Sequence, residues 1–275
     1  MNKIFNTTFY LILLFFTSRA FSQGLPPSSV NEEAFYRTVN KFEAIYKPII
    51  SSISKKKTLV IDARWNFGDS SAQIFTSGNF IILEGGFAKL PGMTIDSLSI
   101  SLCHELGHMT SSAPRIPGLS LSTPSSEGQS DYYSTLKCLR KLWAREDNIA
   151  EIKNASIPEE IDHKCSLSFP GENEKAICIR SILAAQSITN VLAQKLGQEK
   201  VDFTTPDYSI AKKTIKKLYD YPSTQCRLDT MIAGALCPVD QNVGVSSKDP
   251  TTGTCSEEKN DSVGFRPRCW YKPIL

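Results

Sequence analysis

His104-Glu105-Leu106-Gly107-His108 is the stretch on which the fold turns. It uses two of the three histidines in the 275-residue chain. On a helix, His104 and His108 stand at i and i+4, so both imidazoles leave one face and can share a single metal ion. Glu105 sits about 100° around the helix, where it reaches a metal-bound water as a general base.

A catalytic zinc takes three protein ligands and leaves one position open. One way to supply the third is to continue as HExxHxxGxxH. Here Ser111 and Pro114 occupy the glycine and histidine positions, which excludes that class. Another way is a glutamate from a second helix, within ExxxD. Glu127-Gly128-Gln129-Ser130-Asp131 has that spacing. Glu127 and Asp131 then share a face, the first as zinc ligand and the second orienting a ligand histidine through its other ring nitrogen. Asp131 as the ligand is the alternative assignment, and a pair of surface acids at a helix start is the plainest one.

Working outward, Phe35, Val39, Phe42 and Tyr46 recur at helical spacing and predict a helix over 30–48, ended by Lys47-Pro48. Strands are expected at 58–62, 72–76 and 79–84, the last two joined by a Ser-Gly turn and the third stopped by Gly85-Gly86. Asp96 is the expected N-cap of the motif helix, which runs to about Thr110. A Ser/Pro-rich loop over 111–126 separates it from a second helix over 126–144. Then come a cysteine-containing loop, a long helix over 172–196, an ambiguous stretch over 200–220 and a helix over 224–237. The residues from 238 to 275 read as a loop-like tail. There is no internal repeat.

The chain opens with Met-Asn-Lys, an apolar run from Phe9 to Phe16 and a small-residue site, Ala20-Phe21-Ser22. That layout predicts a secretory signal peptide over 1–22 and an exported protein, periplasmic or extracellular, with no transmembrane segment in its mature part. The formal net charge is +3, and Lys3 and Arg19 leave with the signal. No basic excess remains to suggest nucleic acid binding. Lys55-Lys56-Lys57 and Lys212-Lys213 with Lys216-Lys217 read as solvated faces. Asn154 and Asn260 open Asn-x-Ser sites that matter only in a glycosylating host.

Eight cysteines in an exported chain suggest up to four disulfides among about a hundred possible pairings. Short loops favour Cys165–Cys178, Cys226–Cys237 and Cys255–Cys269. Cys103 is then left with Cys138, a bridge between the two helices assigned to the metal.

The segment from Asn79 to Lys89, NFIILEGGFAK, followed by SISLCHELGH ending at His108, resembles one gluzincin family. It is that of the CAAX prenyl endopeptidases and their periplasmic and mitochondrial quality-control relatives. Tyr221-Pro222 with Arg227 is similar to that family's distal His-Pro…Arg element, with tyrosine in place of the histidine. The resemblance covers roughly residues 70–140 and 220–235. It implies an α+β, zincin-like fold: a small mixed or antiparallel sheet on the HExxH helix, then a mainly helical lobe and a disulfide-held tail. The expected divisions are a domain over 23–237, with lobes meeting near 110, and the tail over 238–275.

The implied function is a zinc-dependent endopeptidase acting on peptide or unfolded protein. His104, His108 and Glu127 hold Zn2+, Glu105 is the general base, and Asp131 supports a ligand. A strand around Phe80–Leu83 at the sheet edge would pair with an extended substrate. Tyr221 and Arg227, then Tyr132 and Tyr133, are the candidate oxyanion stabilisers. His163, in a polar loop near Cys165, reads as a surface residue. Two other functions fit the same residues: an envelope quality-control factor with latent protease activity, and an inactive, disulfide-rich binding protein.

Overall fold

The motif helix sits at the centre, and its start is set by a reciprocal cap. In the computed structural model, which describes residues 24–53, 58–68, 72–75, 80–110, 112–117, 123–216 and 220–273, this helix (α3) spans Ile95–Met109. Thr94 Oγ1 accepts from the Ser97 amide at 3.0 Å while Ser97 Oγ accepts from the Thr94 amide. That satisfies two otherwise orphaned donors. Thr94, not Asp96, is therefore the N-cap. Asp96 lies in the first turn and binds Arg180 through both oxygens, at 2.7 and 2.8 Å. The expected signal peptide, the Ser-Gly turn and part of the Ser/Pro-rich loop lie outside the described residues.

Before α3 come α1 (Glu32–Ile53), β1 (Val60–Arg64), β2 (Ala72–Phe75), β3 (Phe80–Glu84) and the short α2 (Gly85–Ala88). The apolar stripe of α1 is buried as its spacing requires. The helix does not stop at Pro48 but runs on to Ile53. Proline removes one backbone hydrogen bond, and burial of Ile50 in the main core offsets that loss. The sheet is mixed, in the order β1-β3-β2. β1 pairs with β3 in parallel, Val60 opposite Phe80 and Arg64 opposite Glu84. β2 pairs with β3 antiparallel, Ala72 opposite Leu83 and Phe75 opposite Phe80. β3 is thus the central strand, not an edge, because two strands claim its two sets of backbone groups.

After the Ser/Pro-rich loop, α4 (Glu127–Tyr133) continues through a π-helical turn, Ser134–Cys138, into α5 (Leu139–Trp143). The expected cysteine loop is instead two short helices, α6 (Asn148–Ile152) and α7 (Glu159–Ser168). Asp147 caps the first by accepting from the Ala150 amide at 3.1 Å. The second buries only Ile161 and Cys165, too sparse a stripe to show as periodicity. α8 (Glu172–Lys195) is long and apolar enough to cross a membrane, yet 78% of its apolar window is buried inside the fold. Residues 200–216 form no regular element, and α9 (Thr224–Leu236) precedes a loop-rich tail.

The architecture is α+β: a small mixed sheet and a mainly helical remainder. One apolar core runs through both halves. Leu59, Ile81 and Leu83 pack in the same cluster as Leu98, Leu106, Trp143, Ile188 and Leu228.

All eight cysteines are paired. Cys103–Cys138 and Cys165–Cys178 are as expected. The other two pairs are crossed relative to the short-loop expectation: Cys226–Cys269 and Cys237–Cys255. The reason is geometric. Cys226 lies on α9 and Cys237 caps it, which puts them roughly 16 Å apart along the axis, whereas a disulfide needs Cα atoms within about 7 Å. Each end of α9 instead takes a partner from the tail. Four disulfides accord with an oxidising, exported setting.

Candidate metal centre

α3 and α4 cross at a glycine. A Cβ on Gly107 would lie 2.8 Å from the Ser130 Cα, so only glycine lets the backbones approach this closely. The crossing brings the first turn of α4 over the histidine face of α3. Glu127 Oε2 lies 3.3 Å from His104 Nε2, and Glu127 Oε1 lies 3.5 Å from His108 Nε2. The two Nε2 atoms are 3.1 Å apart, their rings edge to face. All three side chains are buried.

Two imidazole nitrogens and a carboxylate gathered within 4.8 Å of one another could hold a metal ion. A tetrahedral zinc with bonds of about 2.0–2.1 Å spaces its donor atoms roughly 3.3–3.4 Å apart. The ring tautomers fit as well. His108 Nδ1 lies 2.8 Å from the Ser125 carbonyl, which can only accept, so Nδ1 carries the proton and Nε2 is left to offer a lone pair. His104 Nδ1 lies 2.7 Å from Asp131 Oδ1. The buried His-His-Glu group can hold a metal ion, with both imidazoles oriented by outer partners as such ligands require.

Asp131 is fully buried, and α9 supplies its counter-charge. Arg227 Nε donates to Asp131 Oδ2 at 2.7 Å and an Nη to Oδ1 at 2.8 Å. Burial opposes the Asp131 charge, but Arg227 and His104 outweigh it and hold the carboxyl below its usual range. Both Asp131 oxygens are engaged in this way. Glu127, not Asp131, therefore faces the Nε2 atoms, and its carboxyl is likewise held well down, against burial, by the two histidines. In the metal-free chain burial would lower His104, but the Asp131 charge and the hydrogen bonds that the ring donates to Asp131 and Glu127 raise it to about 10.

Glu105 lies close enough to His104, His108 and Glu127 to feel their charges. Burial is the largest influence on it and pushes its carboxyl up. That direction suits a group that must accept a proton near neutrality.

Arg227 is in the site but turned onto Asp131, and that pairing with Asp131 raises its affinity for its proton despite burial. Tyr221 is half exposed and close enough to act electrostatically on Arg227. Tyr132 points away to the tail: its hydroxyl donates to the Gly264 carbonyl at 2.6 Å. Tyr133 packs on the main core, where burial pushes its phenol up to about 12. His163 is exposed, on α7 rather than in a loop.

Three residues near the site, Ser125, Gln129 and Arg266, had no sequence signal strong enough to single them out. The Ser125 carbonyl is backbone, which any residue supplies. Gln129 and Arg266 are ordinary polar residues until the tail folds back. Gly107 and Gly128 did carry a signal, being glycines inside helical patterns, where each costs about 1 kcal/mol against alanine and so implies a packing reason.

No protein-family model, curated protein or solved structure matches this chain.

Proposed function

We propose that the chain is an exported zinc endopeptidase of the gluzincin type, with a zincin-like fold, hydrolysing peptide bonds in peptides or unfolded proteins. One observation carries this reading: a buried His104-His108-Glu127 group whose ligand atoms lie within 4.8 Å of one another, with Glu105 beside it. The two imidazole nitrogens and one carboxylate suit zinc. When bound, zinc polarises the scissile carbonyl and makes water more acidic.

The chain's own residues do the rest. Glu105 takes the proton from the attacking water and later delivers it to the leaving amine. His104 and His108 are locked in the tautomer that turns Nε2 inward. Asp131 and Arg227 hold that arrangement as a neutral pair, which makes Arg227 a positioning group rather than an electrophile. Tyr221, half exposed beside it, is the better candidate to meet the tetrahedral oxyanion. Among the described residues β2 pairs only with β3 and lies against α3, so the other edge of β2, rather than β3, is the place for an extended peptide to add as a strand.

The test is zinc per chain in the purified, oxidised protein, followed by hydrolysis of an unfolded protein. Wild type is expected to hold about one zinc, Glu127→Gln to hold it much more weakly, and Glu105→Gln to keep it while losing about 10²–10⁴-fold in rate. A folded wild type that takes up no zinc overturns the reading. Glu105→Gln cleaving like wild type overturns the general-base role. Tight zinc with no turnover on any unfolded substrate leaves a metal-dependent binding protein in its place.

A further inference from the structure

The tail wraps the start of α4. The Trp270 ring covers Gly128 so closely that a Cβ there would lie 2.3 Å from it. The Ser246 carbonyl accepts from the Ala113 amide at 2.8 Å. Between these contacts Arg266 enters, buried, with its guanidinium carbon 4.6 Å from the Tyr132 ring centroid and 5.2 Å from that of Tyr271. Its hydrogen-bond acceptors are neutral. Nε donates to Gln129 Oε1 at 2.8 Å and Nη1 to Thr254 Oγ1 at 3.4 Å. A buried cation on neutral partners is an expensive way to pack a tail.

From Gln129 the hydrogen bonds continue to the side chain of Ser125, whose own backbone carbonyl meets His108. Gln129 Nε2 donates to Ser112 Oγ at 3.1 Å, and Ser112 Oγ lies 3.1 Å from Ser125 Oγ. The carbonyl of the same Ser125 orients His108 through Nδ1. The direction of the chain is set at Arg266. Arginine can only donate, so the Gln129 oxygen must face it and the amide nitrogen must face Ser112.

We propose that Arg266 is a positioning residue of the metal centre, acting on His108 through Gln129, Ser112 and Ser125, and that the tail is thereby part of the site. The inference rests on the metal-binding reading above. Partners that orient a ligand histidine typically change metal affinity by 10–100-fold, and the tail reaches such a partner three hydrogen bonds away.

The experiment measures zinc affinity by chelator competition, and the visible spectrum of the cobalt-loaded protein, in wild type and variants. Arg266→Met, Gln129→Leu and Ser112→Ala are each expected to weaken zinc by about tenfold or more and to alter the cobalt bands. Arg266→Lys, which keeps a donor for Gln129, recovers part of the loss. The Arg266→Met/Ser112→Ala double variant loses no more than the weaker single, because both cut one chain. Arg140→Met is the control. Arg140 is another buried arginine that holds the tail, through the Val239 and Cys237 carbonyls, and among the described residues its hydrogen bonds go to backbone carbonyls of α9 and the tail, not to Gln129, Ser112 or Ser125. It should lower the melting temperature and leave affinity unchanged.

Affinity of Arg266→Met within about twofold of wild type, or losses that multiply in the double variant, would sink the proposal. So would an equal loss in Arg140→Met. If Arg266→Met does not fold, Gln129→Leu and Ser112→Ala decide in the same way. If wild type binds no metal, the metal reading and this inference fall together, an outcome distinct from a wild type that binds and a variant that binds equally well.

Discussion

Asp131 concentrates the residue-scale chemistry. It is fully buried and faces His104 on one side and Arg227 on the other. Asp131→Asn is expected to cost about 3–5 kcal/mol, because it leaves Arg227 as an uncompensated buried charge. It should also weaken metal binding by about 10–100-fold through His104. Denaturant melts and chelator competition check the two effects separately. The raised affinity of His104 for its proton has a sign that can be tested. Its folded value, about 10, lies above the ordinary 6.5. The ring therefore stabilises the metal-free fold fully below about 6.5, and that contribution is lost as pH rises through about 10. A metal must displace this proton, so calorimetry at pH 8 in buffers of different ionisation enthalpy should count about one proton released per metal bound. A count of zero would mean the ring is already neutral.

At the scale of elements, the helix crossing is the vulnerable feature. Gly107→Ala places a methyl against the Ser130 backbone, which cannot move aside as a side chain can. It is expected to cost about 1–3 kcal/mol and to widen the gap between Glu127 and the histidines, lowering metal affinity together with stability. Unchanged values of both would show that the helices do not cross here. The elements legible in sequence were those with strong local patterns. The apolar stripe of α1, the paired strands and the long α8 are such cases. The elements missed depend on what packs over them. α7 has only two buried residues, and they are buried in the company of Ile179 and Ile182 on α8. The extension of α1 past Pro48 is favoured by Ile50 reaching a core assembled from distant segments.

At the scale of the whole molecule, the disulfides differ in the apolar cluster they belong to. Cys165–Cys178 ties α7 to α8 and closes a short loop away from the donor triangle. Replacing both cysteines with alanine is expected to cost about 3 kcal/mol of stability while leaving zinc affinity at the wild-type value. A parallel loss of affinity would show that the site depends on global stability rather than on its own neighbours. Loop length was a poor guide to pairing because closure entropy grows slowly, by about 0.6 kcal/mol per doubling of length. A few buried contacts outweigh that difference, and a rigid α9 forbids its two end cysteines from meeting.

By itself, the sequence determined what depends on spacing along one helix. His104 and His108 share a face because they are one turn apart, Glu105 stands beside them, and Glu127 and Asp131 share a face for the same reason. Only the tertiary structure decided which acid turns toward the imidazoles, that Arg227 pairs with Asp131, and that β3 is the middle strand. It also decided that the tail reaches back to Gln129. The physical reason is the range of the interactions. A helix's 3.6-residue turn is fixed by local backbone geometry. The partner of a buried charge or carbonyl is whichever group packing delivers, and that is set by the burial of apolar residues far apart in the chain.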